Sequence, residues 1–227
     1  MTKNVLLVGC SNLINKQDIW NEVVFDGQAN ITNLSFDGVG NYFISGNLID
    51  YLEDNKTDYV FLQFSGLSRY DLPVHEEYSH FEDYYLPKTY KRKWLCSGGN
   101  TGQWLGKNKI TEFFMPLYFN STNIDHLISQ SFCAVFGALS YLDQNKINYN
   151  WTFYYDILNP ATNFVEEHDG KAKKFPKFLN MKNWIDNDPH TYCAGKNGLL
   201  EDKMHFHDQY YKEWLTKNKN KLSYEAD

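Results

Sequence analysis

Ser11 stands in the stretch Gly9-Cys10-Ser11-Asn12-Leu13, directly after the apolar run Val5-Leu6-Leu7-Val8. A hydroxyl on such a turn lies where unpaired backbone N–H groups point at any developing negative charge. Two roles are open to it: a nucleophile, if a base lies near, or the cap of a helix. Near the other end of the chain, Asp202 and His205 occur in Glu201-Asp202-Lys203-Met204-His205-Phe206-His207-Asp208. In a loop, that spacing lets a carboxylate orient an imidazole, which is the base a serine nucleophile needs. With His207 and Asp208, the same cluster has ligand types suited to a metal ion, but no further ligand cluster accompanies it.

Two more segments carry groups of chemical interest. In Asp37-Gly38-Val39-Gly40-Asn41 the glycines permit either a tight turn or close approach of backbone to a ligand, with a glycine N–H as oxyanion donor. In Ser65-Gly66-Leu67-Ser68-Arg69-Tyr70-Asp71 a polar, charged loop leaves an apolar strand. Arg69 there can pair with Asp71 or Asp83 or hold an anionic substrate group, and Arg69 and Asp71 are candidates for substrate contact.

These segments need elements to position them. Residues 4–8 form an apolar run expected of a strand buried on both faces of a parallel sheet. A second strand is expected from Asn30 to Phe36, then a helix through Tyr42, Ile44, Leu48, Ile49 and Leu52, closed by polar Glu53-Asp54-Asn55-Lys56. Tyr59 to Phe64 reads as a third strand, so strand, helix and strand form a right-handed βαβ unit. After Ser121-Thr122-Asn123, which offers N-cap side chains, Ile124, Leu127, Ile128, Ser131, Val135, Ala138, Leu139 and Leu142 make one helical stripe. A fourth strand is expected from Tyr149 to Ile157, a short helix near Phe175–Ile185, and a last helix from Asp208 to Leu222. The alternation predicts a three-layer αβα sandwich around a doubly wound, mainly parallel sheet, with any ligand at the carboxyl ends of its strands. A single domain over residues 1–227 is expected, with a long aromatic loop insertion at about 65–106.

Composition narrows the function classes. The net charge of −6 gives a nucleic-acid role little electrostatic support, and Lys171, Lys173, Lys174 and Lys177 read as a solvated face. Cys10, Cys96, Cys133 and Cys193 show no C-x-x-C spacing, which argues against a zinc ribbon and favours reduced thiols. The N-terminal apolar run is too short for a signal peptide, and no segment approaches the roughly 20 apolar residues of a membrane span, so a cytoplasmic protein without membrane partners is expected.

The order of the segments (Ser turn after the first strand, glycine after the second, polar loop after the third, Asp-x-x-His before the last helix) resembles the SGNH, or GDSL, hydrolase superfamily. The resemblance spans nearly the whole chain as an ordered set of short blocks. It implies the flavodoxin-like SGNH fold and a serine hydrolase cleaving an acyl or acetyl ester, with no cofactor and no metal. Ser11 would be the nucleophile, His205 the base and Asp202 the orienting acid. The oxyanion hole would draw on the Ser11 and Gly40 N–H groups, with Gly38 an alternative to Gly40. The chain departs from the pattern at Cys10, where the family has an acidic residue, and at Phe206, where proline often follows the histidine. It departs most at Leu67, which stands where the third block supplies an Asn to the hole. Leucine donates no hydrogen bond. Ser68, Arg69 or Asn41 are the candidate replacements, with Ser68 foremost. Trp104, in the glycine-rich stretch Ser97–Trp104, suits stacking on a sugar ring, which makes a small-molecule or carbohydrate ester the expected partner. A non-catalytic domain that keeps this fold and cleft is the other class the departures allow.

Overall fold

The computed structural model describes residues 2–67, 69, 71–74, 93–96, 124–154, 181–186, 188–202 and 205–222. Ser68, Trp104, the cap candidates at 121–123, the lysines at 171–177 and most of the 65–106 loop lie outside these residues.

The apolar run at the N-terminus becomes β1 (Lys3–Gly9), and β2 (Ala29–Asn33), β3 (Tyr59–Phe64) and β6 (Asn148–Phe153) join it in one sheet of order β2-β1-β3-β6. All three pairings are parallel. A separate antiparallel pair, β4 (Asp71–Val74) and β5 (Lys93–Cys96), follows β3 in the chain.

Strand alternation divides the core into two halves. From β1 and β3, Leu6, Val8, Val60 and Leu62 pack on α2 (Asn41–Asp54) and α3 (Ile124–Gln144) through Phe43, Ile44, Leu48, Val135 and Leu139. Their alternate neighbours Val5, Leu7, Tyr59 and Phe61 face α1 (Gln17–Val24) and α5 (Asp208–Leu222) through Ile19, Trp20, Tyr211, Trp214 and Leu215. Each large apolar side chain buried this completely contributes about 1.5–3 kcal/mol, so β1 and β3 anchor both outer layers at once. The expected three-layer αβα sandwich with a parallel sheet is the observed architecture.

The connection through α1 lies on one face and that through α2 on the other, and the strand order reverses between β1 and β3. That reversal is the topological switch point, where a cleft opens at the carboxyl ends of the strands.

The helices expected at 42–52, 124–142 and 208–222 and the strand at 59–64 are present. The second strand ends at Asn33, short of Phe36, because the Asn33 side chain accepts the Ser35 N–H (3.0 Å) and turns the chain. Leu34 and Phe36 still donate to the β1 carbonyls of Leu7 and Gly9, at 2.8 and 3.0 Å. The fourth strand ends at Phe153, and of the helix expected near 175–185 the described part is a 3-10 turn, Met181–Asn183. A further helix, α4 (Pro189–Ala194), is capped by Asp188, whose carboxylate accepts from the Thr191 N–H at 2.8 Å. The Asp-Pro pair at its start is a helix-start signal present in the sequence.

Layers α1 and α5 are tied by the indole N–H of Trp20, which donates to the buried Tyr211 hydroxyl at 2.9 Å. Tyr211→Phe leaves that N–H without its acceptor and is expected to cost about 1–3 kcal/mol in urea unfolding, with native circular dichroism retained. Burial also pushes the phenols of Tyr59, Tyr149 and Tyr211 up from their ordinary values. Above about pH 10 the unfolded chain ionises these groups while the native state keeps their protons, so stability falls as pH rises. Urea midpoints between pH 8 and 11 are expected to drop over the upper part of that range.

Candidate active site

The turn at Ser11 is built by close packing of two strands. Gly9 is paired with Gln63, and a Cβ on Gly9 would lie 2.8 Å from both the Gln63 carbonyl oxygen and Leu13 Cδ1. Only a glycine lets β1 end this near β3. The chain then makes a 3-10 turn, Ser11–Leu13, closed by Leu13 N–H to Cys10 O at 3.0 Å and Ile14 N–H to Ser11 O at 3.2 Å. The Asn33 amide steadies it by donating to the Leu13 carbonyl at 2.7 Å. Ser11 caps no helix: Cys10 precedes the turn without a side-chain cap, and Lys16 does the same for α1. Ser11 is half-buried, whereas Cys10 and Asn12 beside it are buried. The Cys10 thiol points to Gln63 Oε1 at 3.7 Å, and burial pushes its pKa up while the Arg69 charge draws it back.

Asp202 and His205 are joined as the spacing implied. Asp202 Oδ1 accepts the His205 backbone N–H at 2.9 Å, and Oδ2 meets the ring Nδ1 at 2.5 Å. A carboxylate holding Nδ1 leaves Nε2 as the nitrogen that can act as a base. A narrow hairpin carries the pair. Leu199 bridges Phe206, Leu200 N–H donates to His205 O at 2.8 Å, and His207 N–H donates to Gly198 O at 2.9 Å. Phe206 is buried and stacks on Tyr211 with ring centroids 5.1 Å apart. Beside the hairpin is a depression of about 980 Å³ lined by Asn197, Leu199, Leu200, Glu201, Asp202 and His207. Among the described residues, no three His, Cys, Asp or Glu side chains converge as metal ligands.

The two ends of the chain meet through the helices that leave them. Lys16, after the Ser11 turn, pairs with Asp208, the first residue of α5 after the histidine hairpin. No hydrogen bond joins Ser11 to His205 among the described residues.

The second and third blocks are held by hydrogen bonds between distant parts of the chain. Gly40 N–H donates to Asp71 Oδ1 at 2.8 Å, and Phe43 N–H donates to Asp71 Oδ2 at 2.9 Å. Asp71, 4% exposed, thus caps α2 from a distant strand, and the positive helix end favours its charge. A Cβ on Gly40 would lie 2.6 Å from Asp71 Oδ2, so this contact requires the glycine. Gly38, with φ of 71°, makes the preceding tight turn. Arg69 donates to the Val39 carbonyl at 2.9 Å, and its charge acts on both Cys10 and Tyr154. In this state, then, Asp71 and one Arg69 nitrogen hold the chain's own backbone. The Asn41 amide donates to Ser65 O and Ser131 Oγ, at 3.1 and 2.6 Å, and its oxygen accepts Ser65 N–H. Asn41 is therefore a structural tie between α2, β3 and α3. Leu67 is fully buried in the core.

Tyr154, legible in the sequence only as part of a β-prone run, stands at the carboxyl end of the sheet. It follows β6, and its N–H donates to Phe64 O at 2.7 Å. It is buried, and that burial pushes its phenol pKa up.

No family model and no curated protein sequence matches the chain. Solved structures do match in fold. An acetylxylan esterase from Geobacillus stearothermophilus is similar at a TM-score of 0.51 and 9% identity, over 98% of this chain and 95% of that one. A psychrotrophic esterase from Pseudoalteromonas sp., in a structure inhibited by monoethylphosphonate, is similar at 0.50 and 9%, over 97% and 96%. At such identity the likeness is one of fold.

Asp71→Ala removes the acceptor of two buried helix amides and is expected to lower stability by about 2 kcal/mol or more in urea unfolding. Asp71→Asn, which keeps one carbonyl oxygen, is expected to recover part of that loss.

Proposed function

Starting from the fold of the SGNH/GDSL esterases, which the chain shares, we propose that this protein is a serine hydrolase acting on an acyl or acetyl ester. The observation that carries the reading is the Asp202–His205 pair, held on a hairpin whose outgoing helix is tied to the helix leaving the Ser11 turn. His205 Nε2 takes the Ser11 proton as Oγ attacks the ester carbonyl. Asp202 holds Nδ1–H and stabilises the imidazolium that forms. The Ser11 N–H, at the open start of its turn, donates to the oxygen that becomes negative. His205 then protonates the departing alcohol, and water resolves the acyl-enzyme through the same base. Ser11 and His205 are not hydrogen-bonded in the resting state, and catalytic bonds of this kind often tighten only with substrate bound.

A carbohydrate ester is the favoured substrate class, since a protein of this fold is an acetylxylan esterase. Trp104 would stack on the sugar ring, and Arg69 would place its charge beside the acyl site. We assign the whole chain to one catalytic domain, with the 65–106 segment shaping the cleft.

A fluorophosphonate probe is expected to label the protein at Ser11, and Ser11→Ala is expected to lose both labelling and hydrolysis of 4-nitrophenyl acetate. Its unfolding free energy is expected to stay within about 1 kcal/mol of the parent, since the hydroxyl caps nothing. Failure of the folded parent to label would leave a non-catalytic binding domain of the same fold.

A further inference from the structure

Ser11 and His205 come from opposite ends of the chain, yet the proton that passes between them needs Oγ and Nε2 within about 2.6–3.2 Å as the ester is attacked. An error of about 1 Å in such a placement costs on the order of a hundredfold in rate. No hydrogen bond joins the two residues among those described, so their separation depends on how the turn is held to the hairpin. We propose that the Lys16–Asp208 ion pair makes that link, and that Lys16 and Asp208 are positioning residues which set the distance between nucleophile and base. The proposal rests on the serine-hydrolase reading above.

Three ion pairs among the described residues join the α1 and α5 segments: Lys16 with Asp208, Glu22 with Lys212 at 2.7 Å, and Asp26 with Lys219 at 2.7 Å. Residue numbers rise together on both sides, so the two helices run parallel. The first pair is therefore the one beside the Ser11 turn and the hairpin, and the other two lie progressively farther away. Burial also sets it apart. The Lys16 side chain is 15% exposed, against 41% for Lys212 and 35% for Lys219. Its ammonium lies 5.9 Å from the centre of the Tyr211 ring, which Trp20 and Phe206 already fix. A cation held between a ring face and a carboxylate is bound more firmly than one in open water. The outer two pairs are of the exposed kind that contributes little.

Short bonded segments connect the pair to the reacting groups. On one side, Ile14 N–H donates to Ser11 O at 3.2 Å, Lys16 N–H donates to Leu13 O at 3.1 Å, and the Asn33 amide holds the same Leu13 carbonyl. On the other, His207 N–H donates to Gly198 O at 2.9 Å, and the His207 carbonyl accepts the N–H groups of Tyr210 and Tyr211 at 3.1 and 3.2 Å. Asp208 follows His207 directly, and Asp202 holds the His205 ring just before it. Apolar packing between α1 and α5 is non-directional and fixes mainly how near the helices lie. The ion pair adds a directional contact at the ends of the helices nearest the site. Lys16 and Asp208 bond neither Ser11 nor His205, so they act through the backbone that carries those residues.

The test is a double-mutant cycle on 4-nitrophenyl acetate hydrolysis, using Lys16→Met, which keeps a stem over Tyr211, Asp208→Asn, and the two combined. Each single variant is expected to lose about ten- to a hundredfold in kcat with KM within about twofold. Fluorophosphonate labelling of Ser11 is expected to slow by a similar factor. The combined variant is expected to be no slower than the worse single one, because both changes remove one contact. Lys212→Met removes a pair between the same helices away from the site and is expected to keep the parent's kcat. Urea midpoints of all these variants are expected to stay near the parent's, which separates a lost position from a lost fold. Asp208 is 64% exposed, so Asp208→Asn keeps the test open even if Lys16→Met folds poorly. If the parent labels and both single variants turn over within about threefold of it, the proposal is overturned. Equal loss in Lys212→Met, or losses that multiply in the combined variant, overturn it as well. The hydrolase reading survives each of these outcomes. A parent that never labels removes that reading, and this proposal with it.

Discussion

Parallel pairing of β1 with β3 is the constraint on which the rest of the molecule depends. From Val5↔Tyr59 to Gly9↔Gln63 the two strands run in register, and their side chains alternate between the α2/α3 layer and the α1/α5 layer. Neither strand has a solvent face, so a slip of one residue would exchange the two cores wholesale. The ends of the strands are thereby fixed to within a residue. Gly9 sets how near the first turn can come to β3, and Ser11, Ser65 and Tyr154 follow at the same edge.

Polar groups at that edge are shared between holding loops and serving chemistry. Asp71 secures the start of α2 through Gly40 and Phe43, and Asn41 ties the same helix to Ser65 and Ser131. A buried amide left without a partner is costly, so these bonds persist whatever the site requires. The second and third blocks are therefore held to the sheet by polar side chains from other elements.

The histidine hairpin shows a different balance. The Asp202–His205 pair is partly exposed, with side chains 47% and 36% accessible, and contributes little to holding the fold together. Its position comes from apolar anchors on either side: Phe206 stacked on Tyr211, and α5 packed on α1. Lys16 and Asp208 add a link between the helices that leave the two blocks. The pair is thus held firmly at its root and open at its tip.

Sequence alone determined the parts governed by local periodicity and spacing. The apolar runs at 4–8 and 59–64, the stripes at 42–52 and 124–142 and the helix at 208–222 are legible because burial on one or both faces dictates their pattern. The Asp202–His205 bond was legible because three residues in a tight loop bring the two side chains together. Tertiary structure decided what depends on partners distant in the chain. That Asp71 grips Gly40 and that Asn41 bridges three elements are contacts across 31 and 90 residues, invisible to any local pattern. Even whether Ser11 caps a helix was decided there, because the chain makes a 3-10 turn at Ser11–Leu13 before α1 begins. Local sequence specifies which elements form; which donors remain for chemistry is settled only when those elements meet.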